Sequence, residues 1–349
     1  MPPNDLIPFP YQDGARRMAE AIRGINDVIV ASHVNLDGDA VGSLAAAGHI
    51  LHLLGKKFML YSGTGLPQSF SFLSLPDIVH TSLERPPLLP RSALLLDCNE
   101  PHRLGQELAA RMSGLAGVNI DHHPGRGMGS RANWIFPRAA ATAQLMAYVA
   151  ACLGLPLSGG VADAVAVGII TDTGGFRHGN TDADALQLMV HLTKNGCNIF
   201  RLRELLENTW TLGRMRLWAK LMSSARLERD NTVAFCRVMS DDLLEHQCAK
   251  EDVEGFVEHL RRLRGVKVAA LLLEDSRQTC KFSLRSAEGS DVLAAASALG
   301  GGGHVNAAGG TLRLAPGRAE SVLLDAVCKQ LDRENQPALS RADALPAGE

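Results

Sequence analysis

The chain has 349 residues, of which 46% are hydrophobic and 21% charged, and its formal net charge is −2. This length and composition are typical of a globular protein with two domains. A near-neutral chain argues against binding along long nucleic acid, which usually needs a basic face. Seven cysteines without a Cys-x-x-Cys pair argue against a disulfide framework and a zinc ribbon. Because neither a signal peptide nor a membrane-spanning stretch is recognisable, we expect a cytoplasmic protein with no membrane partner.

Roughly the first 200 residues alternate short aliphatic runs with helix-length stretches. The aliphatic runs predict buried strands at residues 27–32, 57–62, 93–98 and 117–123. Helices are expected at residues 41–54 and 142–153. Because strands that alternate with helices form parallel sheets, we predict an α/β domain whose functional groups gather beyond the carboxyl ends of the strands.

A helical pattern over residues 198–227 predicts a connector to a second, smaller α/β domain. In that domain we expect strands at residues 232–239, 267–275 and 278–286, helices at 253–264 and 291–299, and a last strand that begins near Thr311. The predicted boundaries are 1–195 for the first domain, 196–227 for the connector, 228–335 for the second domain and 336–349 for a disordered tail. Leu and Met stripes on the connector favour core packing, with a homodimer face as the alternative.

Polar side chains follow the first predicted strand. His33, Asp37 and Asp39 come directly after it, and Gly38 between the two aspartates permits a tight turn. A single aspartate at such a place is most often a helix N-cap. Two carboxylates on one loop repel each other unless a cation compensates, and the imidazole beside them is a further potential ligand.

Three further clusters end apolar segments. Asp97 ends the run LLLD, Asp121, His122 and His123 follow GVNI, and Asp172 follows a long apolar stretch. Taken singly, such an aspartate bonds backbone amides or caps a turn, and a buried histidine is usually a hydrogen-bonded core residue. Five carboxylates and three imidazoles together favour two divalent metal ions, best Mn²⁺, with Mg²⁺ or Co²⁺ as alternatives. Paired ions are a common device for hydrolysing phosphate esters.

The motifs HVNLDGDAVGS, LLLDCNE, NIDHHPG and GIITDTGGF, in this order, resemble the successive motifs of the DHH phosphoesterase superfamily. FSLRS and GGGGHVNAAGG resemble the associated DHHA1 substrate-binding domain. Together these motifs cover nearly the whole chain, and they are most similar to the nano-RNase and pAp-phosphatase branch. Leu36 stands where the family usually has proline, a departure that removes no ligand.

The resemblance implies metal ligands and catalytic residues in the first domain. The implied ligands are His33 and Asp37 on one ion, Asp39, His122 and Asp172 on the other, and Asp97 as a bridge between both. Asp121 would orient the imidazole of His122, as metal-bound histidines regularly require. His123 would then face the scissile phosphate or the leaving oxygen.

In the second domain the resemblance implies that the substrate is held by Arg285, Ser286, Gly302, Gly303, His304 and Asn306. Glycines let backbone amides approach an anion, and Arg285 offers a planar fork for phosphate. A flexible hinge is the alternative for the glycine run. Arg103 is a further candidate for a phosphate contact, with an ordinary surface charge as the alternative. We expect the active site to lie between the two domains.

These expectations lead to a manganese-dependent phosphodiesterase or phosphatase. It would convert very short RNA, such as pGpG or pApA, to mononucleotides, and pAp to AMP and phosphate. The expected partner is therefore a short RNA or a dinucleotide. Hydrolysis of cyclic di-AMP is the rival within the same chemistry. A nucleotide sensor without catalysis is the rival of a different class, and it is disfavoured because no ligand position is substituted.

Overall fold

The computed structural model describes residues 6–208, 210–287 and 289–335, and the tail expected from residue 336 lies outside them. The chain divides into two compact units, Met1–Thr209 and Trp210–Glu349. Within the described residues, no helix is both long enough and apolar enough to span a membrane.

The first unit is built on a six-stranded parallel sheet. Its strands are β1 (Val28–Ala31), β2 (Phe58–Tyr61), β3 (Val79–His80), β4 (Ser92–Leu96), β5 (Ala116–Asp121) and β6 (Ala132–Ile135). The order across the sheet is β3-β2-β1-β4-β5-β6, and every neighbouring pair runs parallel. β1 and β4 are buried along their whole length, which explains why their sequences are apolar apart from Ser92 at the start of β4. The predicted α/β class with a parallel sheet is confirmed.

Helices connect and cover these strands. They are α1 (Phe9–Arg23), α2 (Gly38–Leu53), α3 (Gln106–Ala109), α4 (Thr142–Cys152), α5 (Gly159–Asp172), α6 (Ala183–Lys194) and α7 (Ile199–Glu207). Short 3₁₀ turns occur at Gln68–Phe70, Pro101–Leu104 and Met112–Gly114. α2, α4 and α5 are apolar on nearly all sides, as expected of helices that pack against one another in the core.

The second unit is a smaller α/β unit with a mixed sheet. Its strands are β7 (Arg226–Glu228), β8 (Val233–Val238), β9 (Val268–Ser276), β10 (Thr279–Ser286), β11 (Gly302–His304) and β12 (Ala307–Leu312). The order is β11-β12-β10-β9-β8-β7, with β8 and β9 parallel and the other pairs antiparallel. The helices are α8 (Leu212–Ser224), α9 (Ser240–Glu245), α10 (Phe256–Arg261), α11 (Val292–Ala298) and α12 (Pro316–Asn335), and Lys250–Val253 forms a 3₁₀ turn.

Two expectations for the second half of the chain are wrong. The segment 198–227 is not helical throughout, because α7 ends at Glu207, α8 begins at Leu212 and β7 follows. On α8, Met215 and Met222 are 57% and 51% exposed, so only part of the apolar stripe is core. The last strand ends rather than begins near Thr311, because the preceding glycine-rich segment pairs as β11 and β12. The glycine-rich segment forms strands because it pairs with its neighbours across the sheet, since glycine has a low strand propensity of its own.

Helices α2 and α5 approach closely at two glycines. A Cβ atom on Gly42 would lie 2.5 Å from the carbonyl oxygen of Ala164, and one on Gly168 would lie 2.8 Å from Oδ1 of Asp39. At Gly42 the two backbones are therefore closer than a side chain permits, and at Gly168 the space is filled by the side chains of Ala143 and Asp39. This approach places Asp39, in the first turn of α2, beside the helix that ends at Asp172.

We expect Gly42→Ala to destabilise the first unit. The new methyl group would meet backbone rather than a mobile side chain, and such overpacking costs about 1–3 kcal/mol, more than the roughly 1 kcal/mol that alanine gains in a helix. Thermal unfolding followed by circular dichroism measures the effect. Gly317→Ala is the matched control, because a Cβ atom at this helical position meets nothing within 4 Å. An equal or higher melting temperature for Gly42→Ala would show that the helices can separate at little cost.

Candidate metal centre

The site is built at the carboxyl edge of the parallel sheet. β1 and β4 are neighbours in the centre although they are not consecutive in sequence, and β5 lies next to β4. Such a switch in strand order opens a crevice beyond the strand ends. His33, Asp97 and His122 follow these three strands, so the topology brings residues far apart in sequence to one place.

Asp97 lies between two groups of ligand-type side chains. In the first group, Nε2 of His33 lies 3.7 Å from Oδ2 of Asp37 and 3.5 Å from Oδ2 of Asp97. Ligand-type atoms of these three residues all lie within 4.8 Å of one another. Oδ1 of Asp37 also accepts a hydrogen bond from the amide of Ala40 at 3.0 Å and caps α2, so the N-cap reading and a ligand role are compatible.

In the second group, Nε2 of His122 faces three carboxylates. It lies 3.7 Å from Oδ2 of Asp39, from Oδ1 of Asp97 and from Oδ2 of Asp172. Asp97, His122 and His123 also present ligand-type atoms within 4.8 Å of one another. The structure therefore brings together all six residues expected from the sequence as ligands, in two groups that share Asp97.

Among the residues that the structure describes, several buried polar atoms in these groups have no hydrogen-bond partner. They include Nε2 of His33, Oδ2 of Asp97 and Nε2 of His122. Buried polar atoms are almost always paired, and leaving one unpaired costs about 1–3 kcal/mol. Imidazole nitrogens and carboxylate oxygens that face each other without bonding suit a divalent cation placed among them. The residues present therefore fit a metal site.

In the first group, the carboxyl of Asp97 and the imidazole of His33 both have strongly shifted pKa values. Burial of Asp97 opposes its ionisation, but the nearby imidazoles of His123 and His33 hold the pKa of its carboxyl well below the ordinary range. Burial lowers the pKa of the His33 imidazole, but the facing carboxylates of Asp37 and Asp97 outweigh this effect and raise that pKa to about 10. In the absence of metal, protons on the imidazoles therefore offset the charge of Asp97.

The pKa values of two other carboxylates in the site, those of Asp39 and Asp172, are shifted upward. Burial, and then repulsion from Asp97 and Asp172, raises the pKa of Asp39 well above its ordinary value. The pKa of Asp172 is also raised, chiefly by burial. Like charges in a poorly solvated site cannot all ionise without compensation. A cation would allow these carboxylates to be ionised together.

Asp97 itself is held in an uncommon backbone conformation. Its φ is 52°, in the left-handed region that non-glycine residues rarely adopt and that often marks functional sites. The buried amide of Asn119 donates to the carbonyl oxygens of Leu95 and Cys98 at 3.1 and 2.9 Å, on either side of Asp97. Asn119, which the sequence did not single out, thus fixes the turn that directs this carboxylate.

The expected pairing of Asp121 with His122 is wrong. Oδ1 of Asp121 lies 2.9 Å from Nδ1 of His123 and accepts from its backbone amide at 2.7 Å. Side chains alternate across a strand, so residues two apart share a side. Together with a bond to Asp97, this contact raises the pKa of His123 to about 10. His122 is oriented instead by the carbonyl oxygen of Ala139, 3.1 Å from its Nδ1.

Two further polar side chains that the sequence did not reveal contact these residues. Nδ2 of Asn180 donates to Oδ2 of Asp172 at 3.0 Å and to the carbonyl oxygen of Ala140 at 2.9 Å. The hydroxyl of Thr142 donates to Oδ1 of Asp97 at 2.9 Å. Neither contact has a local signal in the sequence, because a threonine at a helix start and an asparagine in a loop are ordinary there.

In the second unit, Arg285 and His304 lie on one face of the mixed sheet. Ala307 pairs with both of them, and directly opposed residues in antiparallel strands point to the same side. Two strand spacings, about 9–10 Å, separate their backbones. Nε of Arg285 donates to Oε1 of Glu258 at 2.6 Å, so this guanidinium is already ion-paired.

The other candidates in the second unit divide into buried and accessible positions. Ser286 is 5% exposed, and its hydroxyl donates to the carbonyl oxygen of Ser290 and accepts from Nδ2 of Asn306. These two residues thus join neighbouring loops. Gly303 has a φ of 139°, and a Cβ atom there would lie 2.4 Å from the carbonyl oxygen of Ala307, whereas Gly302 has open space around it.

Arg103 belongs to the first unit and lies near the loop of His33. It is part of the turn Pro101–Leu104, and its carbonyl oxygen accepts from the amide of Val34 at 2.7 Å. The side chain is half-buried. The structure thus brings the Arg103 backbone to the edge of the site.

Comparison with known proteins identifies the two domains of the chain. The chain matches the DHH family, N-terminal domain, over residues 27–169 and the DHHA1 domain over residues 230–332. A curated relative from Thermus thermophilus is named bifunctional oligoribonuclease and PAP phosphatase NrnA. It is 32% identical over 330 residues, which cover 93% of this chain and 96% of that relative.

Solved structures show the same fold at lower identity. An exopolyphosphatase-related protein from Bacteroides fragilis has a TM-score of 0.84 and 23% identity, covering 93% of this chain and 98% of that one. RecJ from Thermus thermophilus, in complex with Mn²⁺, has a TM-score of 0.53 and 13% identity, covering 94% of this chain but 55% of RecJ. The matching domains and the Thermus relative show that the chain belongs to the DHH/DHHA1 family of phosphoesterases.

Proposed function

We propose that this chain is a divalent-metal-dependent hydrolase that converts very short oligoribonucleotides to mononucleotides and pAp to AMP and phosphate. The observation that carries the proposal is the set of buried, unpartnered atoms, Nε2 of His33, Oδ2 of Asp97 and Nε2 of His122, that meet among carboxylates. The name of the Thermus relative, which covers nearly the whole chain, supports this choice of substrates.

Two ions would be held by the two groups that share Asp97. His33 and Asp37 would bind one ion, Asp39, His122 and Asp172 the other, and Asp97 both. Mixed oxygen and imidazole ligands suit Mn²⁺, with Mg²⁺ or Co²⁺ as alternatives. When bound, such ions would activate water as the nucleophile and neutralise charge that develops on the phosphate.

The protein's own groups would position the substrate and move protons. His123 is 27% exposed in its side chain, and its Nδ1 is fixed by Asp121, so the ring is held at the edge of the site. We propose that its other ring nitrogen, Nε2, donates a hydrogen bond to the phosphate or the leaving oxygen. Arg285 and His304 of the second unit would bind the nucleotide.

Activity should be lost on exhaustive chelation and restored best by Mn²⁺. Asp97→Ala should lower kcat by more than the roughly 10- to 100-fold typical of groups outside the ligand set, because it removes a ligand of both ions. Steady-state kinetics with pApA, together with metal content by mass spectrometry, measure this. Asp13→Ala is the control, since that side chain is 92% exposed. Full activity after chelation, or normal turnover of Asp97→Ala, would contradict the proposed site.

Metal affinity should rise with pH. The pKa of about 10 keeps the His33 ring protonated at neutral pH, whereas a metal binds only the neutral ring, so binding must release this proton. Release becomes easier as the pH rises, so the affinity for Mn²⁺ should increase between about pH 6 and pH 9. Calorimetry in buffers of different protonation enthalpy counts the protons, and His33→Gln should release about one fewer. Affinity that is independent of pH would contradict this assignment.

Catalytic efficiency should fall with substrate length. Proteins that follow long strands combine a basic groove with successive stacking aromatics, whereas this chain has 5% aromatic residues and a net charge of −2. We expect efficient cleavage of two- to four-nucleotide RNAs and poor cleavage of a twenty-nucleotide RNA. The binding constant should depend only weakly on salt, falling by roughly 0.7 logarithmic unit per contacted phosphate for each tenfold rise in salt concentration.

The measurement is kcat/KM across the length series at fixed salt, with pAp and cyclic di-AMP assayed in parallel. The twenty-nucleotide RNA should have no internal base pairs, because base pairing would slow its cleavage independently of its length. Faster, processive degradation of this RNA would replace the proposed substrate class by long single strands.

A further inference from the structure

Helix α4 begins without a side-chain cap of its own. Its N-cap residue is Ala141, which has no hydrogen-bonding side chain. The amides of Thr142 and Ala143 donate instead to Oδ2 and Oδ1 of Asp39 at 2.6 and 2.9 Å, across more than a hundred residues of sequence. A carboxylate at a helix N-terminus is stabilised by the exposed amides and by the helix dipole. The start of α4 therefore fixes one carboxylate of the second group.

The hydroxyl of Thr142 has two partners that fix its direction. It accepts from the backbone amide of His122 at 3.2 Å and lies 2.9 Å from Oδ1 of Asp97. Because the amide can only donate, the single proton of the hydroxyl must point to Asp97. Thr142 is 0% exposed, so water does not compete for this proton.

This contact distinguishes the two oxygens of Asp97. Oδ1 receives the Thr142 proton and also lies 3.7 Å from Nε2 of His122 and 3.3 Å from Nδ1 of His123. Oδ2 faces His33 and, among the described residues, has no hydrogen-bond partner. The terminal torsion of an aspartate is soft, so a carboxylate rotates readily unless its oxygens are held. Thr142 supplies a fixed donor to one oxygen and thereby directs the other toward His33.

We propose that Thr142 is a positioning residue that joins the two metal groups through Asp97. Its amide holds Asp39, and its hydroxyl holds Asp97 and the backbone of His122, so one residue sets three of the six proposed ligands. This inference rests on the proposed metal dependence. Loss of the Thr142 hydroxyl should weaken metal binding and lower kcat while leaving KM nearly unchanged, because Thr142 is fully buried and out of reach of a substrate.

The test compares variants that separate the hydroxyl from the methyl group. Thr142→Val keeps the shape and removes the hydroxyl, and Thr142→Ser keeps the hydroxyl and removes the methyl. For Thr142→Val we expect Mn²⁺ affinity to fall by about 10- to 100-fold, as is typical when a partner of a ligand is lost. Thr142→Ser should stay within about threefold of the wild type. Calorimetric titration of Mn²⁺ gives affinity and stoichiometry independently of turnover.

A purely structural role for Thr142 predicts a different pattern. Both variants would then lower the melting temperature without changing Mn²⁺ affinity, and this result would overturn the proposal. Thr193→Val is the control, because this exposed threonine lies on another helix and its hydroxyl donates to the carbonyl oxygen of Met189 within α6. If Thr142→Val does not fold, Thr142→Ala replaces it, and equal affinities for the alanine and serine variants would also overturn the proposal.

Failure of the proposed function would look different again. If the wild type bound no Mn²⁺, or if Asp97→Ala bound it normally, the metal site itself would be wrong. If the wild type bound Mn²⁺ through Asp97 and Thr142→Val bound it equally well, only the role of Thr142 would be wrong.

Discussion

The crowding of carboxylates around Asp97 is the constraint on which the rest of the first unit depends. Asp39 and Asp97 are 2% and 1% exposed, and charge at such depth is unfavourable unless it is balanced. In the metal-free chain, protonated His33 and His123 supply part of the balance, as their raised pKa values indicate. A divalent ion would displace protons and pair with the free atoms. Metal binding and the stability of this part of the fold should therefore be linked.

The surrounding backbone prevents the carboxylates from relaxing apart. The left-handed conformation of Asp97 costs on the order of 1–3 kcal/mol, and Asn119 holds it from both sides. Close approach at Gly42 keeps α2 against α5, while the first amides of α4 hold Asp39. Each contact is unremarkable alone. Together they keep like charges at a separation that a bound cation would make favourable, as expected of a metal site that is organised in advance.

The strand ends that carry His33, Asp97 and His122 could be predicted because apolar runs that stop at a polar residue are local patterns. Their supporting partners could not be predicted in the same way. Thr142 is 45 residues from Asp97 in sequence, and Asn180 reaches Asp172 through a loop with no periodic pattern. The prediction that Asp121 orients His122 was also wrong, because its carboxylate contacts His123 instead. In the second unit, the glycine-rich strands depended on cross-strand pairing, which local propensity does not report.

The ion pair between Arg285 and Glu258 in the second unit also bears on the proposed substrate class. Arg285 lies near the end of the interior strand β10 and is paired with Glu258, so its guanidinium is oriented before any ligand arrives. An oriented guanidinium loses little side-chain entropy on binding. The paired carboxylate also weakens its attraction to distant phosphates. Under the proposed function, such an arginine would recognise one phosphate by geometry rather than many by charge. Binding energy from a single fixed contact does not grow as a strand lengthens, which favours the end of a short chain over the interior of a long one.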